Sequence, residues 1–478
     1  MTTLIDRPLC LIGGEWKGVP VDPVRNPADL SVIAQVPRMG AQDTHEAIRE
    51  AAKAFPSWSS TLAKARAAVL RRWFDLMIEH RDQLADILNR EQGKPYLEAL
   101  AEIDYAASYV EFYAEEAKRI YGDAIPSHRA DARVLVTRQA VGVVAAITPW
   151  NFPAAMVTRK VAAALGAGCT VVLKPAPDTP LTAIALFRLA EQAGVPDGVI
   201  NLVMGDAVEI GSVLTSHPDV RMVTFTGSTA VGKLLMAQAA TTVKKVALEL
   251  GGNSPFIVFD DADLDAAVEG AIAAKFRNAG QTCVCANRFY VQSAIYDKFV
   301  DRMAVAVSAL KVGAGNEPGV AIGPLINEAA IAKVKAHMAD ALAKGGKVRA
   351  GGNPHPAGPL FFEPTVITEL GPDMLVSREE TFGPVAAIMR FTDEQEVLEL
   401  ANDTRSGLAA YFYSRDLARV FRVSDALDYG MVGINTGMIS AETVPFGGIK
   451  ESGIGREGSR HGIEEYTDLK YRLIAGLG

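Results

Sequence analysis

Cys283 stands in the segment Arg277-Asn278-Ala279-Gly280-Gln281-Thr282-Cys283-Val284-Cys285, flanked by glycine and polar residues instead of an apolar run. Most cysteines are buried and inert, so a thiol in a polar, bendable segment reads as one that must be reached, as a nucleophile is. Two further residues offer matching chemistry. Glu249 ends the run Val246-Ala247-Leu248, opposite the Val246/Leu248/Leu250 face and just ahead of Gly251-Gly252. A carboxylate there can act as a general base, although a strand-end glutamate in water is the commoner case. Asn151 lies in Thr148-Pro149-Trp150-Asn151-Phe152-Pro153, where two prolines stiffen the turn. Its amide can donate to an oxyanion or simply satisfy its own turn.

The elements around these residues follow from periodicity. Ala63–Ile78, Gln83–Glu91 and Tyr96–Ile120 carry apolar residues three and four apart, which predicts helices. From Val141 the pattern changes to short apolar strands alternating with helices. The strands are Val141–Ile147, Thr170–Lys174, Val199–Met204, Val220–Phe225 and Val243–Leu250. The alternation resumes at Pro255–Phe259 and runs to Ala409–Tyr413. Continuous apolar strands between helices predict parallel sheets covered on both faces, here two α/β units joined near Gly251-Gly252. Arg133–Arg138 and Tyr471–Ile474 read as strands outside both units, and unpaired edges invite a second copy.

Three segments bear on phosphate binding. Gly227-Ser228-Thr229-Ala230-Val231-Gly232-Lys233-Leu234 lacks the hydroxyl after lysine that a P-loop needs for Mg²⁺, which argues against an NTPase. It still offers helix N-terminal N–H groups to an anion, although an ordinary βα turn looks the same. Gly453-x-Gly455-x-x-Gly458 matches the dinucleotide fingerprint in letters but follows no strand and opens no βαβ unit. Lys174 ends a strand ahead of Pro175-Ala176-Pro177 and could meet ribose hydroxyls or phosphate, or be a solvated lysine. Further on, Ser377-x-x-Glu380 could be a capping box, but Gly383-Pro384 leaves little helix to cap.

The 478 residues suffice for two or three domains, and 49% hydrophobic with 22% charged content is ordinary for a globular chain. A net charge of −8 argues against nucleic acid as a partner. Four cysteines, Cys10, Cys169, Cys283 and Cys285, are too few for a disulfide framework and fit a reducing compartment. The first residues lack the order of a secretory signal, and no apolar stretch reaches the ~18 residues of a membrane span. The expectation is a cytoplasmic protein.

Taken in order, six segments resemble the NAD(P)-dependent aldehyde dehydrogenase superfamily. They are Pro149–Pro153, Phe225–Thr229, Leu248–Gly252, Gly280–Cys283, Glu379–Pro384 and Pro445–Gly448. Met156–Lys160, Lys275–Asn287 and Gly455–Ser459 are similar to the succinate-semialdehyde dehydrogenase branch. The resemblance implies an α/β fold with a Rossmann-like cofactor domain (residues 1–125 and 142–250), a catalytic domain (251–445) and an oligomerisation arm (126–141 and 460–478). It implies Cys283 as nucleophile, Asn151 as oxyanion donor and Glu249 as the base that activates water. It places Trp150, Lys174, Pro177, Gly227, Ser228, Glu380 and Phe382 on the dinucleotide, and Arg159, Arg277 and Ser440 on a substrate carboxylate. Without it, Arg277 reads as a cap at a helix C-terminus.

The resemblance further implies NADP or NAD as cofactor, no metal, and a homodimer or homotetramer. NAD-preferring relatives tend to carry glutamate where Pro177 stands; its loss removes a repulsion toward a 2′-phosphate, so NADP is slightly favoured. Cys285 would be a candidate redox partner of Cys283, or a passive neighbour. The expected reaction is oxidation of succinate semialdehyde to succinate. Glutarate semialdehyde or a broader aldehyde range is the alternative, and a cysteine acyl-transferase or esterase a more distant one.

Overall fold

The apolar runs assemble into two sheets that share one cleft. The computed structural model describes residues 3–477, so residues 1, 2 and 478 of the expected domain division lie outside the described residues. The first sheet runs in the order Glu15–Lys17, Cys10–Ile12, Ile200–Leu202, Thr170–Lys174, Val143–Ile147, Val220–Thr226, Lys245–Glu249, Gly453–Ile454. Its five central strands are parallel, and the flanking ones antiparallel. Val143–Ile147 and Thr170–Lys174 are buried at every position, as expected for strands covered on both faces.

The earliest parallel strand, Val143–Ile147, lies in the middle, with later strands added on either side. That makes its carboxyl end the topological switch point, where an open α/β sheet leaves a crevice for a ligand. Register aligns the strand ends that matter: Ile147 pairs with Lys174, and Thr226 with Glu249. Trp150-Asn151 and Gly227-Ser228 leave the two strands that border the crevice.

The second sheet runs Lys347–Ala350, Thr365–Thr368, Val385–Phe391, Ala286–Gln292, Ser254–Val258, Ala409–Tyr413, Met431–Ile434, parallel except at its first pair. Cys283 lies just before Ala286–Gln292, so it sits at the amino end of this sheet and faces the carboxyl end of the other. The chain crosses between the sheets at Gly251–Asn253, near the expected junction.

Arg133–Arg138 and Tyr471–Ile474 fall within one antiparallel pair, Ala132–Ala140 with Thr467–Ala475, joined in register over nine positions. A third strand, Asp123–Ile125, completes this small sheet and starts before the boundary expected for the arm. Leu469, Tyr471 and Ile474 are exposed on it. The helix expected over Tyr96–Ile120 ends at Glu116 and closes with a 3₁₀ turn over Ala117–Arg119. No helix of the described residues is long and apolar enough to cross a membrane.

Candidate active site

The cleft between the sheets measures about 470 Å³ and is lined by Cys283, Glu249, Asn151 and Arg159 together with Trp150, Gly227, Ser228, Glu380 and Phe382. Cys283 follows an irregular stretch. The Leu264–Phe276 helix stops at Arg277, and Asn278 and Ala279 adopt left-handed conformations with φ 51° and 53°. Gly280 continues at φ +76°, where a Cβ would sit 2.1 Å from the Gly383 carbonyl oxygen. Only glycine lets the cysteine loop lie this close to the Glu380–Pro384 loop. Gly252 does the same on the other side, since a Cβ there would meet the Cys283 carbonyl at 2.7 Å.

The Cys283 side chain is half-buried, and burial, with Glu249 beside it, pushes the thiol up to about 12. Glu249 is buried, not solvated, and neither of its carboxylate oxygens has a hydrogen-bond partner. Burial, then the nearby Glu457 charge, pushes it up to about 8. Two groups that each disfavour charge in the other's presence are suited to passing one proton between them and a water.

Asn151 is held on every side. Its Oδ1 accepts from the Phe152 N–H at 3.1 Å, and its Nδ2 donates to the Gln281 carbonyl at 3.2 Å. That leaves one amide hydrogen for the cleft that Asn151 lines. Gln281 is itself pinned, accepting from the Ile326 N–H at 2.9 Å.

Arg159 rises from the Ala155–Ala167 helix. Its guanidinium lies 4.1 Å from the Phe446 ring, and its Nη2 is 2.8 Å from Glu457 Oε2. That approach is off the hydrogen-bond direction, and neither Nη2 nor Nε has a hydrogen-bond partner. Lys160 Nζ pairs with the other Glu457 oxygen. Although burial works against its charge, Lys160 and Arg159 hold the Glu457 carboxylate below the usual range.

The other two expected carboxylate ligands do not line this cleft. Arg277 is the C-cap of its helix, with its guanidinium 5.2 Å from the Phe152 ring, and Ser440 is half-buried on a loop. Cys285 is buried, its Sγ donating to the Lys275 carbonyl at 3.5 Å, and all four cysteines are free thiols.

The cofactor candidates divide between two spaces. Trp150 and Phe382 pack edge to face at 5.5 Å, and Glu380 accepts from the Gly252 N–H at 3.3 Å without capping a helix. Burial pushes Glu380 up to about 7. Ser228 is the N-cap of the Thr229–Ala239 helix. Lys174 and Pro177 line a second space of about 320 Å³ with Arg38, Met204 and Gly205. Lys174 is buried, not solvated; burial lowers it to about 8, and its Nζ donates to the Pro175 carbonyl at 3.2 Å. An ammonium with hydrogens to spare in one space, and a helix N-terminus and a carboxylate in the other, fit the hydroxyls and phosphates of a dinucleotide. Gly453, by contrast, is in the edge strand beside Glu249, so the first glycine of the 453–458 lettering serves sheet packing. No group of three or more metal-ligating side chains occurs among the described residues.

The sequence reading did not single out Lys94, Glu102 or Lys160, all of them buried at this site. Glu102 had a visible signal: it falls on the apolar stripe of its helix with Ala99, Ile103 and Ala106.

A thiol, a buried carboxylate and an amide thus meet at the mouth of a doubly wound α/β sheet. The profile of the Aldehyde dehydrogenase family matches residues 20–471, and the chain belongs to that family. It is 60% identical over 454 residues to a glutarate-semialdehyde dehydrogenase of Pseudomonas aeruginosa, covering 95% of this chain and 94% of that one. It is 59% identical over 472 residues to an NADP(+) succinate-semialdehyde dehydrogenase of Escherichia coli, covering 98% of each. The crystal structure of succinate-semialdehyde dehydrogenase from Burkholderia pseudomallei superposes with a TM-score of 0.97 at 58% identity, covering 98% of each chain.

Proposed function

We propose that this protein oxidises a short semialdehyde bearing a distal carboxylate, succinate semialdehyde foremost, to the dicarboxylate with NADP or NAD. The observation that carries the reading is Arg159: a buried cation, ion-paired to Glu457 through Nη2 but with its Nε unpartnered, lines the same cleft as the Cys283 sulfur. A planar guanidinium can take a carboxylate through two N–H groups and so fix the aldehyde at the other end of the molecule. Arg277 and Ser440 are further candidates for that carboxylate on resemblance alone. The relatives' names support the same substrate class, with glutarate semialdehyde the nearest rival, since one methylene discriminates by only ~1–3 kcal/mol.

The chain's residues divide the work. Cys283 sulfur adds to the aldehyde carbon, and its proton passes to Glu249 through water. Asn151 Nδ2 and the Cys283 backbone N–H hold the resulting oxyanion. A nicotinamide dinucleotide, when bound, supplies the hydride acceptor. Trp150, Phe382 and Glu380 would hold its nicotinamide end, Gly227 and Ser228 its pyrophosphate, and Lys174 beside Pro177 its adenosine ribose. Glu249 gives that first proton up to solvent and then takes one from water; hydroxide adds to the thioester carbon, the C–S bond breaks to free the carboxylic acid, and the proton held by Glu249 passes back to the sulfur to return the thiol. Pro177 offers a 2′-phosphate no carboxylate to repel it, which favours NADP. Free thiols throughout suit a cytoplasmic enzyme, and the apolar outer face of the small sheet suits a homodimer or homotetramer.

The test is absorbance at 340 nm with succinate semialdehyde and each cofactor, repeated for Arg159→Ala. The expected outcome is a drop of about 10²-fold in kcat/KM for the semialdehyde, with propanal nearly unaffected. Equal losses for both substrates would remove the carboxylate clamp.

A further inference from the structure

We propose that Lys94 and Glu102 are positioning residues that aim Asn151 at the oxyanion; this rests on the oxyanion role given to Asn151 above. Lys94 follows directly on the Arg81–Gln92 helix and Gly93, and Glu102 projects from the Tyr96–Glu116 helix. Both side chains are only 1% exposed, so neither serves solubility. Lys94 Nζ donates to Glu102 Oε2 at 2.5 Å and to the Asn151 carbonyl at 2.8 Å, and sits 3.9 Å from the centre of the Phe152 ring. Glu102 Oε1 accepts from the Ala154 N–H at 2.9 Å and the Ala155 N–H at 3.4 Å. One ion pair therefore grips both sides of the Asn151 peptide: its own carbonyl and the start of the helix that carries Arg159.

The rest of the loop closes the frame. Asn278 Nδ2 donates to the same Asn151 carbonyl at 3.0 Å and to the Gln281 carbonyl at 3.2 Å. The Gln281 carbonyl is also the acceptor for Asn151 Nδ2, two residues before the nucleophile. Amide, cysteine loop and ion pair are thus linked through shared carbonyls.

A buried ion pair is a poor source of net stability, because desolvation offsets most of the attraction. Two apolar side chains could fill the same volume. What they could not do is donate to the Asn151 carbonyl and accept from the helix N–H groups, which sets the direction of the amide. Catalysis is sensitive to that direction: about 1 Å of misplacement can cost ~10²-fold.

The experiment is a double-mutant cycle on the holoenzyme, reading single-turnover NADPH formation with succinate semialdehyde, with cofactor Kd measured in parallel. Lys94→Met should slow hydride transfer about 10–100-fold while leaving cofactor Kd within about twofold. In the Asn151→Ala background the same change should cost less than about threefold, because the group it aims is gone. Where Lys94→Met fails to fold, Glu102→Gln carries the same cycle; it keeps an acceptor for Ala154 but loses the charge, with an expected loss of about 3–10-fold. Full multiplicative losses in the Asn151→Ala background would overturn the proposal, as would parallel losses in cofactor binding. An Asn151→Ala enzyme that keeps its hydride-transfer rate would overturn the oxyanion role itself, and the positioning role with it.

Discussion

Two buried charge clusters flank the catalytic loop, and they differ in what is left over. In the Lys94–Glu102 pair itself Lys94 Nζ and both Glu102 oxygens have protein partners at hydrogen-bond distance, although Oδ1 of neighbouring Asn278 does not. In the Arg159–Glu457–Glu249 cluster some do not: Arg159 Nη2 and Glu457 Oε2 are ion-paired with each other, but Arg159 Nε and both Glu249 oxygens lack partners. Unmet hydrogen-bonding capacity in a buried site is expensive, so it marks where a ligand, a water or a transition state is expected to complete the set. The satisfied cluster fixes geometry, and the other is the one to which the proposed chemistry falls.

That contrast breaks most visibly at Glu249. Glu249→Gln should reduce steady-state turnover by ~10²–10⁴-fold and slow the first turnover of NADPH as well, because the same carboxylate takes the Cys283 proton and later activates water. Melting temperature should hold or rise, since a buried unpaired acid has been removed. A loss of stability comparable to that of a core mutation would erase the distinction between the clusters.

On the satisfied side the loss should be in stability. Glu102→Ala leaves Lys94 buried without its counter-ion and strips two helix N–H groups, and a cost of about 3–5 kcal/mol is expected from denaturant unfolding. A cost below about 1 kcal/mol would mean the pair is not the frame described.

The pH dependence follows from Glu249. Its folded value, about 8, lies above the ordinary carboxyl range because burial disfavours the charge. The active base is the ionised form, so single-turnover thioester hydrolysis should rise with pH through about 8 and fall by up to tenfold per unit below it. For stability the sign is opposite. The contribution of the buried neutral acid is present below the ordinary carboxyl range and is lost as pH rises through about 8, so melting of the cofactor-free protein should drop across that window, and drop less in Glu249→Gln, where Glu380 still contributes. A flat hydrolysis profile would contradict the unsatisfied reading of the site.

Smaller effects sharpen the edges. Pro177→Glu should lower kcat/KM for NADP about tenfold and spare NAD, a charge effect in the second space beside Lys174. Cys285→Ala should change basal turnover by less than about twofold, since its thiol makes only a weak contact to a backbone carbonyl. If peroxide inactivation and dithiothreitol rescue are the same in Cys285→Ala as in the parent, a switch between Cys283 and Cys285 is excluded.

Much of the site was readable because its residues stand in short, strongly flavoured segments. Cys283, Glu249, Asn151 and Ser228 each sit at the end of a strand or at a turn whose pattern is local. Lys94, Glu102 and Glu457 were harder, because their meaning lies in partners far away: Lys160 meets Glu457 across 297 positions, and Lys94 meets Asn151 across 57. The parallel strands were legible from unbroken apolar runs. Helices Ala207–Ser216, Glu394–Asn402 and Leu417–Ala426 were not assigned, being short and lying outside those runs. Each nevertheless begins at an aspartate, Asp206, Asp393 or Asp416, that accepts from the helix's first N–H groups, a start signal present in the sequence.

Glu457 is followed, after one short helix, by the exposed Thr467–Ala475 strand, and Tyr466 between them accepts from the Val141 N–H and the Cys169 thiol. The same covalent stretch that sets the charge beside the base therefore runs outward to the rim where another subunit would dock. If copies of the chain pair along this strand as proposed, a loosened subunit boundary would register first as a drift in the pH profile, before any loss of bound nucleotide.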